Sequence, residues 1–267
     1  MGNTIDWGQA AVNNTIGFGD GAENNTIGWG DIQADSWSPE TNLTGTGSTP
    51  AWSNTLSTTF DGVDDYVDIG SPASLNLSTI SISAWIKTTN NGNIVGSDDQ
   101  SLGRRFIFQI LISGELRFYY WNTSSVAKNI VSTTTLNDGN WHHVMAINNG
   151  TDLKLYIDGT LDNSSLDGGN IKPYTSTPIH IGDRSYASSR GHFNGSIDEV
   201  AIWSSDQSAN ASAIGSTVPT DLTSYNPLGW WRMGDGSTYP TINDEIGSNN
   251  GTMNNMTSAN FVTDVPT

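Results

Sequence analysis

In the run Ile80-Ser81-Ile82-Ser83-Ala84-Trp85-Ile86-Lys87 the apolar residues Ile80, Ile82, Ala84 and Ile86 recur at every second position. A period of two puts them on one face of an extended strand, whereas a helix needs a period near 3.6. Similar short runs lie on either side. Leu56 to Phe60 ends at the turn pair Asp61-Gly62, and Tyr66 to Ile69 is a further short strand. Arg105 to Ile112, apolar on both faces, reaches Gly114 and returns through Glu115 to Trp121. Asn140 to Ile147 and Leu153 to Ile157 flank Asn148-Asn149-Gly150, and Ile179 to Gly182 and Ile197 to Trp203 close the series. Many short strands punctuated by Gly, Asn and Asp predict an all-β sandwich or barrel. Charged residues are only 14% of the chain, too few for charge-driven disorder, and ten Trp supply large apolar side chains for a core.

Three motifs, in order, carry a family resemblance. They are Phe60-Asp61-Gly62-Val63-Asp64-Asp65-Tyr66-Val67; Trp141-His142-His143-Val144 with Leu153-Lys154-Leu155-Tyr156-Ile157-Asp158-Gly159; and Phe193-Asn194-Gly195-Ser196-Ile197-Asp198-Glu199-Val200-Ala201-Ile202-Trp203. Residues 56–205 resemble the laminin G-like jelly rolls of the concanavalin A-like lectin/glucanase type. The resemblance implies a jelly-roll β-sandwich, a fold that hosts lectins, adhesins, enzymes and spacers. Such domains usually open with a Trp-bearing strand and an Asn/Gly-rich turn. Here the like of both stands at the other end, as Leu228-Gly229-Trp230-Trp231-Arg232-Met233-Gly234-Asp235 and Asp244-Glu245-Ile246-Gly247-Ser248-Asn249-Asn250-Gly251-Thr252. The expectation is a circularly permuted jelly roll in which residues 206–267 complete the sandwich. The alternatives are a truncated second repeat, or an element exchanged with a neighbouring subunit.

The resemblance also implies a Ca²⁺ ion where the opening turn meets the closing strand, with Asp61 and Asp198 as ligands and Asp64 and Asp65 as further candidates. The residue types suit a hard cation, which takes oxygen ligands, and an ion would brace a chain that has no cysteine. The competing reading is ordinary turn aspartates that accept backbone N–H groups. A second candidate site is for sugars, which dock on aromatic faces flanked by polar groups. Arg104, Trp121, Asn122, Tyr186, Arg190 and His192, with Arg105 and Arg184 nearby, offer such groups on loops. Arginines concentrated in a chain with only ten basic residues and a net charge of −17 suit an acidic sugar. Against this, Trp121 and Tyr186 could simply pack under loops, with the arginines neutralising nearby aspartates.

No catalytic constellation is visible. The Glu-x-Asp-x-(x)-Glu strand of the glucanases is missing, and Asp198 and Glu199, adjacent on a strand, are expected to point to opposite faces. There is no Gly-x-Ser-x-Gly elbow and no phosphate loop. His142, His143, His180 and His192 lack zinc-site spacing, and His143 is assigned to the structural hairpin. The chain is expected to be non-catalytic, with a polysaccharide-acting enzyme the least favoured reading.

The first 35 residues hold an internal repeat, Asn-Thr-Ile-x-aromatic-Gly, placing Ile5 with Trp7, Ile16 with Phe18 and Ile27 with Trp29. Each pair sits two apart and so shares one strand face, but three such pairs cannot form a core alone. Residues 1–35 are therefore expected to be an arm for anchoring or oligomerisation, and 36–55 a Pro- and Gly-containing linker. The acidic surface argues against nucleic acid and anionic membrane as partners. No stretch is apolar enough to span a bilayer, and no basic-plus-apolar leader follows Met1. By analogy, the leading expectation is a structural or adhesion protein on the surface of a virus particle. It would be a homo-oligomeric phage capsid decoration, fibre or tail appendage, joined to other virion subunits through the repeats and able to meet a cell-surface glycan. The runner-up is a bacterial carbohydrate-binding adhesin or filament subunit.

Overall fold

In the computed structural model, which describes residues 52–99, 103–184 and 191–267, the period-two run at Ile80 becomes the middle of a sheet. The repeat arm, with Ile5, Trp7, Ile16, Phe18, Ile27 and Trp29, lies outside the described residues, as does most of the 36–55 segment. In chain order the strands are β1 (Ser57–Asp61), β2 (Tyr66–Gly70), β3 (Ile80–Thr88), β4 (Gly92–Asp99), β5 (Gly103–Ile110), β6 (Glu115–Trp121) and β7 (Ala127–Thr135). Next come β8 (Trp141–Asn148), β9 (Leu153–Ile157), β10 (Thr160–Ser165), β11 (Ile179–Ile181) and β12 (Asn194–Trp203). The short helix α1 (Ala211–Ile214) follows, then β13 (Gly229–Trp231), β14 (Met233–Gly236), β15 (Thr241–Ile242), β16 (Gly251–Asn254) and β17 (Phe261–Val262).

Two antiparallel sheets form a sandwich. One runs β10-β9-β8-β3-β12-β1-β17, and the other β15-β16-β2-β11-β4-β5-β6-β7. Ile82, Ile86, Val144, Leu155 and Ile197 from the first sheet and Phe106, Phe108, Phe118 and Tyr120 from the second belong to one buried cluster between them. Burying each large apolar side chain contributes roughly 1.5–3 kcal/mol, which is how a chain without disulfides can hold a sandwich. The hairpin from β9 to β10 turns on Asp158 and Gly159, both at positive φ (49° and 73°), as a two-residue type I′ turn requires.

The C-terminal segment completes both sheets of its own chain. Strand β13 pairs with β12 from Val200↔Trp231 to Ile202↔Gly229, while β1 pairs with the earlier half of β12, from Thr58↔Ile197 to Asp61↔Asn194. The two strands thus share one edge of β12, end to end. On the other sheet β16 pairs with β2 through Met253↔Val67. Trp231, Met233, Ile242 and Met253 enter the core. The Trp-bearing strand therefore lies beside the closing strand although it follows it in sequence, as a permuted jelly roll demands, and no exchange with a neighbour is needed to place it.

Residues 204–226 cross the outer face of the first sheet. The Ser81 hydroxyl donates to the Ser205 carbonyl, and Lys154 Nζ to the Ser208 hydroxyl at 2.9 Å. Ile214, Pro219 and Leu222 close over Trp85 and His143. No helix among the described residues is long and apolar enough to cross a membrane.

Candidate functional site

The outer face of the second sheet is built by alternation along β6. Leu116, Phe118 and Tyr120 turn into the core, which leaves Arg117, Tyr119 and Trp121 half-buried on the other side. The Arg104 guanidinium lies over the Trp121 ring, 4.2 Å from its centroid, and that of Arg117 lies 5.2 Å from the Tyr119 centroid. Tyr119 and Trp121 meet edge to face at 4.6 Å. The four side chains form a ladder in which each guanidinium stacks on a ring and keeps its in-plane N–H donors for other partners. Arg104 Nε donates to Asp98 Oδ1 at 2.9 Å, and Arg184 Nη1 lies 3.9 Å from Asp98 Oδ2. Across β5, with its amide oxygen turned to Arg117, Gln109 accepts from Nε and Nη2 at 3.2 and 2.7 Å and donates to Asn93 Oδ1 at 3.0 Å. Partial burial, together with the neighbouring Arg184, draws the Arg117 pKa below its ordinary value. Beside the ladder runs a groove of about 310 Å³, lined among others by Asn93, Gln109, Ile112, Arg117, Arg184 and Gly191.

Two acidic groupings lie elsewhere. At the turn after β1, carboxylate oxygens of Asp61, Asp64 and Asp65 all lie within 4.8 Å of one another. Asp61 Oδ1 accepts from the Val63 and Asp64 amides, and Asp65 Oδ2 from the Asp61 amide and Asn260 Nδ2. Those backbone bonds hold Asp61 below its usual pKa, while burial and the charge of Asp61 raise Asp65. Three carboxylates with only oxygen to offer fit a hard divalent cation. The second grouping is buried. Asn54 Nδ2 donates to Asp198 Oδ2 at 2.7 Å, and Trp230 Nε1 to Glu199 Oε2 at 2.5 Å. Arg232 reaches Glu199 through Nε at 3.1 Å and Asp235 through Nη2 at 3.2 Å. Asp235 in turn accepts from the Thr55 and Leu56 amides and the Thr55 hydroxyl. Burial lifts the Glu199 pKa to about 7 and Asp198 well above the carboxylate range.

A sequence-family model described as the concanavalin A-like lectin/glucanases superfamily matches residues 61–211, more than half of the chain. The chain belongs to this superfamily. A candidate carbohydrate binding protein from Bacteroides ovatus superposes with a TM-score of 0.62 at 20% identity, over 80% of this chain and 62% of that one. This concanavalin A-like chain thus spans under two thirds of that protein's length. A heptameric SAP-like pentraxin from Limulus polyphemus (TM-score 0.49, 16% identity, 62% of this chain and 84% of that one) is also similar. So is the LG4-5 pair of the mouse laminin alpha1 chain (0.46, 14%, 57% and 43%). At 20% identity the likeness to the Bacteroides ovatus protein speaks for the fold alone. No curated protein matches the sequence.

Within the concanavalin A-like domain, the residues picked out from sequence fall into separate places. Arg104 and Trp121 come together in the ladder. Asn122 is spent on its own turn, its Oδ1 accepting from the Ser124 and Val126 amides. The His192 ring faces Asp183, with Nδ1 3.8 Å from Oδ1, although the adjacent Gly191 lines the groove. Tyr186 and Arg190 lie outside the described residues. Asp198 does not join Asp61, Asp64 and Asp65. A bulge in β12 between Asp198 and Ala201, with Glu199 at φ 48°, turns its carboxylate into the buried cluster with Arg232. The same bulge corrects the expectation that Asp198 and Glu199 point to opposite faces, since both carboxylates enter that cluster. His143 is buried under the 204–226 segment, while His142 bonds Asp158 Oδ2 at 2.9 Å. Arg117, Tyr119, Gln109 and Asn93 were not anticipated as site residues. The signal for the first two was the spacing of Arg117, Tyr119 and Trp121, which puts all three on one strand face.

Proposed function

We propose that residues 54–267 are a non-catalytic glycan-binding domain whose ligand lies on the outer face of the second sheet. The observation that carries this reading is the Arg117–Tyr119–Trp121–Arg104 ladder beside the 310 Å³ groove. It offers the accessible aromatic surface of Tyr119 and Trp121 to sugar C–H groups and a fan of guanidinium donors to hydroxyls. The carbohydrate-binding description of the Bacteroides ovatus protein supports the same reading. The absence of catalysis is argued from the buried carboxylates. Glu199 shares a space of only about 10 Å³ with His143 and Ser83, room for about one water and not for a sugar ring. A Ca²⁺ at Asp61, Asp64 and Asp65 is part of the proposal as a brace for the turn after β1.

The test is a glycan array probed with the full chain, followed by titration of the hits. Trp121→Ala, which removes the ring under Arg104, is expected to weaken binding by about tenfold, the equivalent of about 1.4 kcal/mol. No hit with millimolar glycan would overturn the reading. The repeat arm would seat the domain on a larger assembly, a virus particle in the first instance and a bacterial surface filament in the second. Imaging of the native assembly separates those two.

A further inference from the structure

We infer that the ligand of this face is an acidic saccharide, and that Arg117 and Arg184 form the seat for its carboxylate or sulfate group. The inference rests on the glycan-binding reading above and adds the substrate class. Three of the chain's ten basic residues, Arg104, Arg117 and Arg184, gather on one sheet face of a protein with net charge −17. A structural role would be expected to pair each with an acid. Asp98 does this for Arg104 and stands near Arg184. Arg117 has no carboxylate within 4.0 Å among the described residues; its Nε and Nη2 go to the neutral amide of Gln109.

Arg117 is also held against its own electrostatic interest. It is half-buried, and the charge of Arg184 disfavours its protonated form. Two guanidinium groups that repel each other beside a groove with polar walls suit an oxyanion, which would relieve the repulsion and accept from the Arg117 fork beside the charge of Arg184. The site is preorganised. Gln109 and the Tyr119 ring fix Arg117, and the close passage of the Arg184 backbone over Gly96 fixes the point from which the other side chain starts. A Cβ at Gly96 would stand 2.6 Å from Arg184 Cα. The register along β6 places Tyr119 and Trp121 in line from this seat, at roughly 7 Å per pair of residues, so a sugar anchored by its anion meets the rings next.

The experiment is a titration of the full chain with sialylated, uronate-bearing and sulfated oligosaccharides, each beside its neutral parent. In wild type the acidic member is expected to bind at least about tenfold more tightly than the parent. The arm that discriminates, carboxylate or sulfate, names the anion. Arg117→Gln is expected to bring the acidic member down to the affinity of its neutral parent, so that their ratio falls to about one even where binding of the parent also weakens. Arg117→Lys, which keeps the charge and loses the fork, should retain part of it and serves if the glutamine variant does not fold. Lys154→Gln, the same charge change on the outer face of the other sheet, should leave the preference intact. Equal binding of acidic and neutral members, with Arg117→Gln without effect, would overturn this inference and leave the glycan-binding reading standing. No binding to any member would overturn the glycan-binding reading itself.

Discussion

Replacing Arg232 by Met should destabilise the domain by an amount that depends on pH. Arg232 is the cation in a buried grouping with Glu199, Asp235 and Asp198, and its own side chain is 13% exposed against 3% for Glu199. Methionine keeps much of the aliphatic volume and removes the charge. Removing one partner of a buried pair typically costs roughly 3–5 kcal/mol, because the other partner is left charged and unpaired. That cost has an escape route, since the orphaned carboxyls can take up protons. Burial already lifts Glu199 to about 7 with Arg232 opposing the rise, so deleting Arg232 pushes it higher. A carboxyl whose folded pKa exceeds its unfolded value of about 4.3 binds its proton more tightly when folded. The folded state therefore gains as pH falls from about 7 toward 4.5 and loses as pH rises. Urea denaturation of wild type and Arg232→Met at about pH 8 and about pH 5 measures the effect, and contributions common to both proteins cancel in the difference. The expected loss is about 3–5 kcal/mol at the higher pH and less than about half of that at the lower one. A loss below about 1 kcal/mol at both, or an equal loss at both, would show that the carboxylates do not depend on Arg232.

Four further outcomes are expected. Gly195, at φ 145°, has its would-be Cβ 2.1 Å from the Lys87 carbonyl, so Gly195→Ala should cost more than about 4 kcal/mol or prevent folding. Gly139→Ala, with only the Thr89 methyl at 3.3 Å, should cost about 1 kcal/mol, both variants being measured by urea denaturation. Millimolar Ca²⁺ should raise the melting temperature by roughly 5–10 °C if it exceeds its Kd about a hundredfold, and Asp61→Asn should abolish the rise. An equal rise in that variant would place any ion elsewhere. His143 is buried and its pKa is pushed down to about 4, so the unfolded chain binds its proton first. Stability should fall by about 3 kcal/mol as pH drops from 6.5 to 4 through this group alone, and His143→Leu should remove that loss from the pH profile.

Much of the fold was legible because apolar alternation and turn residues agree. The bounds read for the Glu115–Trp121 and Leu153–Ile157 strands are those observed. Strands β4, β7 and β10 left no such mark. In β4, Gly-Asn-Ile-Val-Gly-Ser-Asp-Asp reads as a loop, yet its small residues are what allow the Arg184 backbone to approach Gly96. β7 is half exposed at a sheet edge and rich in Ser and Thr. The candidate site was legible in part. Arg104 and Trp121 were visible as loop residues, but their stacking requires β5 and β6 in register, which the sequence does not state. Asp198 was misplaced because nothing in Ile197-Asp198-Glu199-Val200 signals a bulge. A left-handed residue is usually Gly or Asn, and here it is Glu199, held by Trp230 and Arg232.

The two outer faces of the sandwich also read alike in sequence and differ in fate. Ser81, Ser83 and Trp85 on β3 and Arg117, Tyr119 and Trp121 on β6 both alternate with core residues, so both strands look half-exposed. Strand β3 is nevertheless buried on both sides, because residues 204–226 lay Ile214, Pro219 and Leu222 over Trp85 and His143. That cover comes from a segment whose composition is mostly small and polar, with Ile214, Pro219 and Leu222 buried over Trp85 and His143 while Val218 stays exposed. The outer face of β6 has no comparable cover among the described residues, and its side chains remain half-buried. Among the described residues, one of the two broad surfaces is therefore closed by the chain itself, and the other carries half-buried guanidinium groups and rings. On the proposed glycan-binding reading a ligand large enough to use a sheet face approaches the second, and the same face gathers three arginines of an otherwise acidic protein.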